Sequence, residues 1–75
     1  MRSVSDYKLL VTFGRRLSVV RKSRSLTQQQ LAEIVGISVV ALAYIETGKR
    51  WPRIDTLDKL ARALKVPLAD LFRGV

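Results

Sequence analysis

The stretch from Thr27 to Gly48 reads as two short helices joined by a tight turn at Gly36, and the rest of the chain is interpreted as support for this pair. Thr27 followed three residues later by Gln30 matches a capping box, in which each side chain bonds the backbone N–H of the other residue. Gly36 can take the left-handed conformation that ends a helix, and Ser38 can cap the next one. Because the turn is so short, we expect the two helices to cross steeply.

Apolar periodicity predicts further helices on both sides of this pair, which makes the fold class all-α. We expect one domain over residues 1–75, with five compactly packed helices, a loose N-terminus at residues 1–5 and the helix-turn-helix at about residues 27–46. The predicted helices run from a cap at Asp6 to Lys22 or Ser23, from Thr27 to Val35, from about Val39 to Glu46, from about Ile54 to Leu64, and from Pro67 to Gly74.

Each predicted helix has an inward face at helical spacing. The residues expected to face the core are Leu10, Phe13, Leu17, Val20, Leu26, Leu31, Ile34, Val35, Ile37, Leu42, Ile45, Leu57, Leu60, Ala61, Leu64, Leu68, Leu71 and Phe72. Gly14 lies inside the first helix, where it costs about 1 kcal/mol relative to alanine. A close approach of another helix would explain this glycine, and Ala32 is small for the same expected reason.

The basic residues lie on both sides of the central pair. The net charge is +8, and seven bases precede residue 25. Residues 25–48 carry no base, and Lys49, Arg50 and Arg53 then follow within five residues. We therefore expect attraction to a phosphate polymer from residues 15–24 and 49–53.

The composition argues against several other functions. The chain has no cysteine and no histidine, and its six acids are scattered, so neither a metal site nor a nucleophile–base pair can be assembled. We expect no enzyme activity, no cofactor, no metal and no small-molecule substrate. No signal peptide and no apolar run of about 20 residues is present, so we expect a cytoplasmic protein without membrane contact.

The chain resembles the lambda-repressor/Cro family of DNA-binding domains, also called the Xre type, over residues 12–73. The matching positions are Phe13, Gly14, Leu17, Val20, Arg21, Leu26, Thr27, Gln28, Leu31, Ala32, Gly36, Ile37, Ser38, Leu42, Ile45, Glu46, Gly48, Lys49, Arg50, Pro52, Leu57, Leu60, Ala61, Leu64, Leu71 and Phe72. The resemblance implies a five-helix domain that binds double-stranded DNA with helix 3 in the major groove.

The resemblance also implies roles for particular residues. Gln28 matches a glutamine that contacts a DNA phosphate, and Lys49 and Arg50 match phosphate contacts in the loop after helix 3. Arg21 and Glu46 match a structural ion pair between helix 1 and the end of helix 3. The predicted DNA-binding set also includes Thr27, Ser38 and Arg53. The role of Arg53 stays open between a phosphate contact and an unused charge.

Helix 3 departs from the family pattern. Its base-reading positions are Val39, Val40, Ala43 and Tyr44, and none of these can form a bidentate hydrogen bond to guanine or adenine. In one interpretation the valines pack on thymine methyl groups, the Tyr44 hydroxyl meets a phosphate or base edge, and DNA shape supplies the remaining specificity. In the other, the apolar face binds protein.

The leading hypothesis is a transcriptional regulator that binds a specific operator as a homodimer. The predicted dimer surface consists of Val66, Leu68, Leu71 and Phe72. The alternative is an antitoxin or protein-interaction module that uses the apolar face of helix 3. Trp51 is expected to pack over the edge of the domain, with stacking on a base as the second interpretation. The operator, the regulated system and the direction of regulation stay open.

Overall fold

A computed structural model of the protein describes residues 4–74, with side chains from residue 7 onward, and all regular structure in this part of the chain is helical. The elements are α1 (Val4–Ser23), α2 (Gln28–Val35), α3 (Val39–Glu46), α4 (Ile54–Leu64) and a C-terminal 3₁₀ helix (Leu68–Phe72). The all-α fold class is therefore confirmed. The fifth predicted helix is a 3₁₀ helix, because its five residues favour the tighter pattern in which the N–H of Asp70 bonds the carbonyl of Pro67 at 2.9 Å.

The start of α1 differs from the sequence prediction. The helix begins at Val4, so the backbone of Asp6 lies inside the helix and is not its cap. The predicted loose end at residues 1–5 is accordingly wrong for residues 4 and 5, and residues 1–3 lie outside the described part of the chain. An acidic residue is favourable in the first turn of a helix as well as at the cap, because both positions face the positive end of the helix dipole.

The caps of the central helix pair form as the sequence predicts. The Thr27 hydroxyl accepts from the N–H of Gln30 at 3.0 Å, and the Gln30 side chain accepts from the N–H of Thr27 at 2.9 Å. Gly36 has φ of 83° and ends α2, and the Ser38 hydroxyl accepts from the N–H of Ala41 at 3.0 Å. The chain bends by 112° between α2 and α3, which is the steep crossing expected from so short a turn.

One hydrophobic core receives residues from every element. It contains Phe13, Leu17, Val20, Leu31, Ala32, Val35, Leu42, Ile45, Leu57, Leu60, Ala61, Leu64 and Leu71. Phe13 lies between two other aromatic rings, with its ring centroid 5.4 Å from that of Trp51 and 5.0 Å from that of Phe72. Trp51 is half-buried against this core, as the packing interpretation predicts.

Two residues predicted to face the core, Ile34 and Leu68, are exposed, whereas Leu71 of the predicted dimer surface is buried. The side chain of Ile34 is 60% exposed, because α2 directs Leu31, Ala32 and Val35 into the core and leaves Ile34 beside a surface groove. Leu68 is 43% exposed and does not contribute to the core. Leu71 is completely buried within its own chain, so it has no exposed surface to offer to a dimer contact.

Gly14 marks the closest approach between α1 and α3. A methyl group at this position would overlap the carbonyl oxygen of Ile45 and lie 2.7 Å from that of Glu46. These are backbone atoms, which cannot turn aside as a flexible side chain can. The expected close contact at Gly14 is therefore present, and it holds the end of α3 against α1.

None of the described helices is long and apolar enough to cross a membrane alone. The α2–α3 pair meets the length and composition criteria only when it is taken together across its 112° bend.

Candidate nucleic-acid interface

The outward face of α3 is apolar and exposed. The side chains of Leu42, Ile45 and Glu46 are buried, which turns the remaining positions of the helix toward the surface. Val39 is 44% exposed, Val40 is 57% exposed and Tyr44 is 43% exposed, with Ala43 half-buried between them. The four residues predicted to read bases therefore share one face, and the fold makes little use of it.

Two basic residues lie against the aromatic ring of this face. The Nζ atom of Lys49 is 5.7 Å from the centroid of the Tyr44 ring, and the guanidinium carbon of Arg50 is 5.9 Å from it. The N–H of Lys49 also donates to the carbonyl of Tyr44 at 2.8 Å. Each cation–π contact is worth about 0.5–1 kcal/mol at an exposed site, so the ring favours positions of both cations beside the face of α3.

Arg21 and Glu46 form a buried ion pair between α1 and the end of α3. The Arg21 Nε–H donates to Glu46 Oε2 at 2.7 Å, and Arg21 Nη2 donates to Glu46 Oε1 at 3.1 Å. The remaining nitrogen, Arg21 Nη1, donates to the carbonyl of Leu26 at 2.7 Å. This bidentate geometry fixes the end of α3, which the glycine contact described above also holds.

Gln28, the first residue of α2, joins the same carboxylate. Its side-chain Nε2 donates to Glu46 Oε1 at 3.0 Å, which connects the start of α2 to the end of α3. The sequence did not predict this bond, since the resemblance assigns Gln28 to a DNA phosphate. The amide group has a second N–H, so a phosphate contact would have to use that hydrogen or the backbone N–H.

The other polar residues of the predicted set keep groups that can face a ligand. The hydroxyls of Thr27 and Ser38 accept bonds from their own helices, and each still carries a proton to donate. Arg53 precedes α4 without a side-chain cap, and its Nε lies 3.6 Å from Asp55 Oδ1. Both partners of that pair are largely exposed, and such surface pairs contribute at most about 1 kcal/mol.

The bases of residues 15–24 are less available than the sequence suggests. Arg16 Nε donates to the carbonyl of Asp70 at 2.9 Å and so ties α1 to the C-terminal 3₁₀ helix. Arg24 Nη2 lies 3.4 Å from the carbonyl of Lys65, and Arg21 is used by the ion pair. Arg15 and Lys22 are exposed. The cations beside α3 therefore come chiefly from the loop that follows it.

No group of three or more acidic, histidine or cysteine side chains within the described residues is arranged to hold a metal ion.

The capped pair of helices, their 112° crossing and the exposed second helix beside a basic loop define a helix-turn-helix domain. The chain belongs to the helix-turn-helix family HTH_3, of the Cro/C1 type, whose profile matches residues 17–71. The resemblance to the Xre-type family is thereby confirmed.

Curated relatives carry regulatory names. The chain is 44% identical over 62 residues to the HTH-type transcriptional repressor RghR of Bacillus subtilis, a match that covers 81% of this chain and 46% of RghR. It is 41% identical over 59 residues to the immunity repressor protein of Bacillus phage phi105, covering 79% of this chain and 41% of the repressor. The chain thus spans less than half the length of these two relatives. The first is named as a transcriptional repressor and the second as an immunity repressor.

Solved structures show the same fold. The restriction-modification controller protein C.AhdI from Aeromonas hydrophila superposes with a TM-score of 0.81 at 35% identity, covering 84% of this chain and 96% of the controller. The clp gene regulator ClgR from Corynebacterium glutamicum gives a TM-score of 0.83 at 26% identity, covering 87% of this chain and 83% of that chain.

Proposed function

We propose that this chain binds double-stranded DNA and regulates transcription, with α3 inserted into the major groove. The exposed face of α3 beside the two cations at the Tyr44 ring is the observation that carries the proposal. The ion pair, the caps and the core fix α3 from its other side, so the outward residues are free to meet a ligand. The major groove of DNA admits one α-helix and has phosphates along both edges, so it can receive the apolar face of α3 while the adjacent cations meet phosphates.

Each member of the site then has a role. Lys49, Arg50 and Arg53 neutralise phosphates beside the groove, and the N-termini of α2 and α3 present N–H groups and the Thr27, Gln28 and Ser38 side chains to the backbone. The residues turned toward the base edges are Val39, Val40, Ala43 and Tyr44. Phosphate contacts hold the register and orientation of the helix, and the four outward residues supply any sequence preference.

The protein acts in this proposal as a homodimer in the cytoplasm of a bacterial cell. The bacterial and phage origin of the relatives supports that location. Two copies of α3 would enter successive major grooves about one helical turn apart. The exposed Leu68, with the half-buried Val66 and Phe72, offers an apolar contact surface. Leu71 has no part in that surface because it is used by the core.

A titration of labelled duplex DNA at increasing salt tests the DNA contact. Binding should weaken with a log–log slope of about −0.9 for each phosphate neutralised. The double variant Lys49→Ala with Arg50→Ala should bind all sequences more weakly and make the slope shallower by up to about 1.8. A slope near zero for the parent protein would contradict the proposal.

A control variant separates local contacts from total charge. Lys59→Ala with Arg62→Ala removes the same two charges from exposed positions of α4, which packs against α2 and the C-terminal 3₁₀ helix. This control should keep most of the affinity and a nearly unchanged slope. Equal weakening by the two double variants would show that net charge, and not the loop after α3, controls binding.

Sedimentation equilibrium tests the dimer. Leu68→Lys should shift the protein toward monomer without unfolding it, because the side chain is already 43% exposed. Ile54→Lys, at a more exposed apolar position on α4, is the matched control and should leave the association unchanged.

The apolar character of Val39 and Val40 also supports a second candidate, in which this face binds a protein as an antitoxin or interaction module does. The salt titration distinguishes the two functions, since a protein-binding face predicts no phosphate-dependent affinity for duplex DNA.

A further inference from the structure

We propose that α3 recognises the 5-methyl group of pyrimidines in the major groove, whether it belongs to thymine or to 5-methylcytosine. This inference rests on the proposed function and names the chemical feature that the site reads. The residues that carry it are Val39 and Val40, and the Tyr44 ring contacts two cations beside them.

The first argument is the scarcity of hydrogen-bonding groups on the reading face. Val39, Val40 and Ala43 have no polar side-chain atoms, and the Tyr44 hydroxyl is the one polar side-chain group on this face. At the C-terminal end of α3, the Thr47 hydroxyl donates to the carbonyl of Ala43 at 2.7 Å, and the Glu46 carboxylate is buried in its ion pair. The pyrimidine 5-methyl is the one apolar group that base pairs present in the major groove, so it is the feature this face can distinguish.

The second argument is the position and stiffness of the two valines. They are the first two residues of α3, and residues near the N-terminus of a recognition helix contact base edges. Valine is β-branched, and one rotamer dominates in a helix, so little side-chain freedom is lost on binding. Their exposure of 44% and 57% leaves apolar area to bury against a methyl group.

The third argument selects DNA, and not a protein, as the occupant of this apolar face. Tyr44 lies one turn after Val40 on the same side of the helix. Lys49 Nζ and the guanidinium carbon of Arg50 lie 5.7 and 5.9 Å from the centroid of its ring, so two cations border the apolar patch. An apolar strip with cations along its edge complements a groove that has methyl groups inside and phosphates at its rim.

The expected effect follows from the area of one methyl group. Burial of one such group contributes about 0.8 kcal/mol, which corresponds to an affinity change of about fourfold. Two methyl groups in contact with the two valines would together give about tenfold or more.

The experiment begins with selection of bound duplexes from a random pool that contains thymine. At each selected thymine, four duplexes are compared, with thymine, uracil, 5-methylcytosine or cytosine at that position and the matching purine opposite. Because thymine and cytosine differ in hydrogen-bonding groups, the four duplexes separate a methyl contact from a polar one. We expect removal of the methyl to weaken binding about fourfold in both pairs, thymine to uracil and 5-methylcytosine to cytosine.

Val39→Ser and Val40→Ser test the residues directly. Serine removes both methyl groups of valine, and both positions are exposed, so the fold should be retained. At least one of the two variants should reduce the methyl effect below about twofold, at unchanged salt dependence. Ile34→Ala is the control, because it alters an exposed apolar residue on the other helix of the pair and should leave the effect unchanged.

The outcomes separate this inference from the function on which it rests. Salt-dependent DNA binding with equal affinity for thymine and uracil duplexes, or with no selected thymine, would overturn methyl recognition alone. A methyl effect in the thymine pair but not in the cytosine pair would also overturn it. Loss of all salt-dependent binding would overturn the proposed function itself.

Discussion

The ion pair of Arg21 and Glu46 gives a quantitative test of how this domain is held together. Glu46→Leu would leave the Arg21 guanidinium buried without its carboxylate, and Arg21→Met would leave the carboxylate buried without its cation. Both side chains are more than nine-tenths buried. Removal of one partner from such a pair lowers the free energy of unfolding by about 3–5 kcal/mol.

The size of this loss is large for a chain of 75 residues. At about 0.05–0.15 kcal/mol per residue, the whole domain is stable by about 4–11 kcal/mol, so either single variant would lose about a quarter or more of that stability. The double variant should lose no more than about 2 kcal/mol, because no charge stays buried. The double variant still loses two hydrogen bonds, from Arg21 to the Leu26 carbonyl and from the Gln28 amide to Glu46, and each is worth about 1 kcal/mol.

The parent protein, the two single variants and the double variant form a double-mutant cycle. Urea unfolding followed by far-UV circular dichroism measures the free energy of unfolding of all four, and the slope of each transition checks two-state behaviour. Asp58→Asn is the matched control. It breaks the exposed pair of Asp58 with Arg62 on α4, and we expect a change below about 0.5 kcal/mol. Additive losses in the double variant, or single losses below about 1 kcal/mol, would refute the reasoning that desolvation makes the Arg21–Glu46 pair interdependent.

Two further substitutions test the packing and capping of α3. Gly14→Ala would gain about 1 kcal/mol from helix propensity alone, but the methyl overlaps backbone atoms of α3. We therefore expect a net loss of at least about 1 kcal/mol in urea unfolding, and stabilisation would contradict the close contact. Ser38→Ala removes the N-cap bond to Ala41, so we expect a loss of about 1 kcal/mol. The Tm in a thermal scan should then fall by about 4–8 °C, and an unchanged Tm would show that the cap is dispensable.

The central helix pair was predictable because its signals are local. Thr27, Gly36 and Ser38 specify caps and a left-handed turn through bonds to residues within four positions, so the sequence contains both partners of each bond. The bounds of α3 and α4 also match the prediction. Gly14 was interpretable as well, because a glycine inside a helix needs a compensating contact.

The remaining features depend on how distant elements pack. Ile34 and Leu71 are both apolar at helical spacing, and only the positions of neighbouring helices decide that one is exposed and the other buried. The bonds of Arg16 to Asp70 and of Gln28 to Glu46 join residues far apart in sequence, and several acceptors would have satisfied each donor equally well. Such pairings follow from the fold and cannot be read from spacing.

The buried and outward sides of α3 have separate roles: one packs against the rest of the domain and the other faces the proposed ligand. Its orientation is set by the buried Leu42, Ile45 and Glu46, by the Ser38 cap and by the close contact at Gly14, whereas its outward side chains contribute little to the core. Substitution of the outward side chains of α3 should therefore change the free energy of unfolding only slightly. Substitutions at Val39, Val40, Ala43 and Tyr44 could therefore change the binding preference of the domain while its fold is retained.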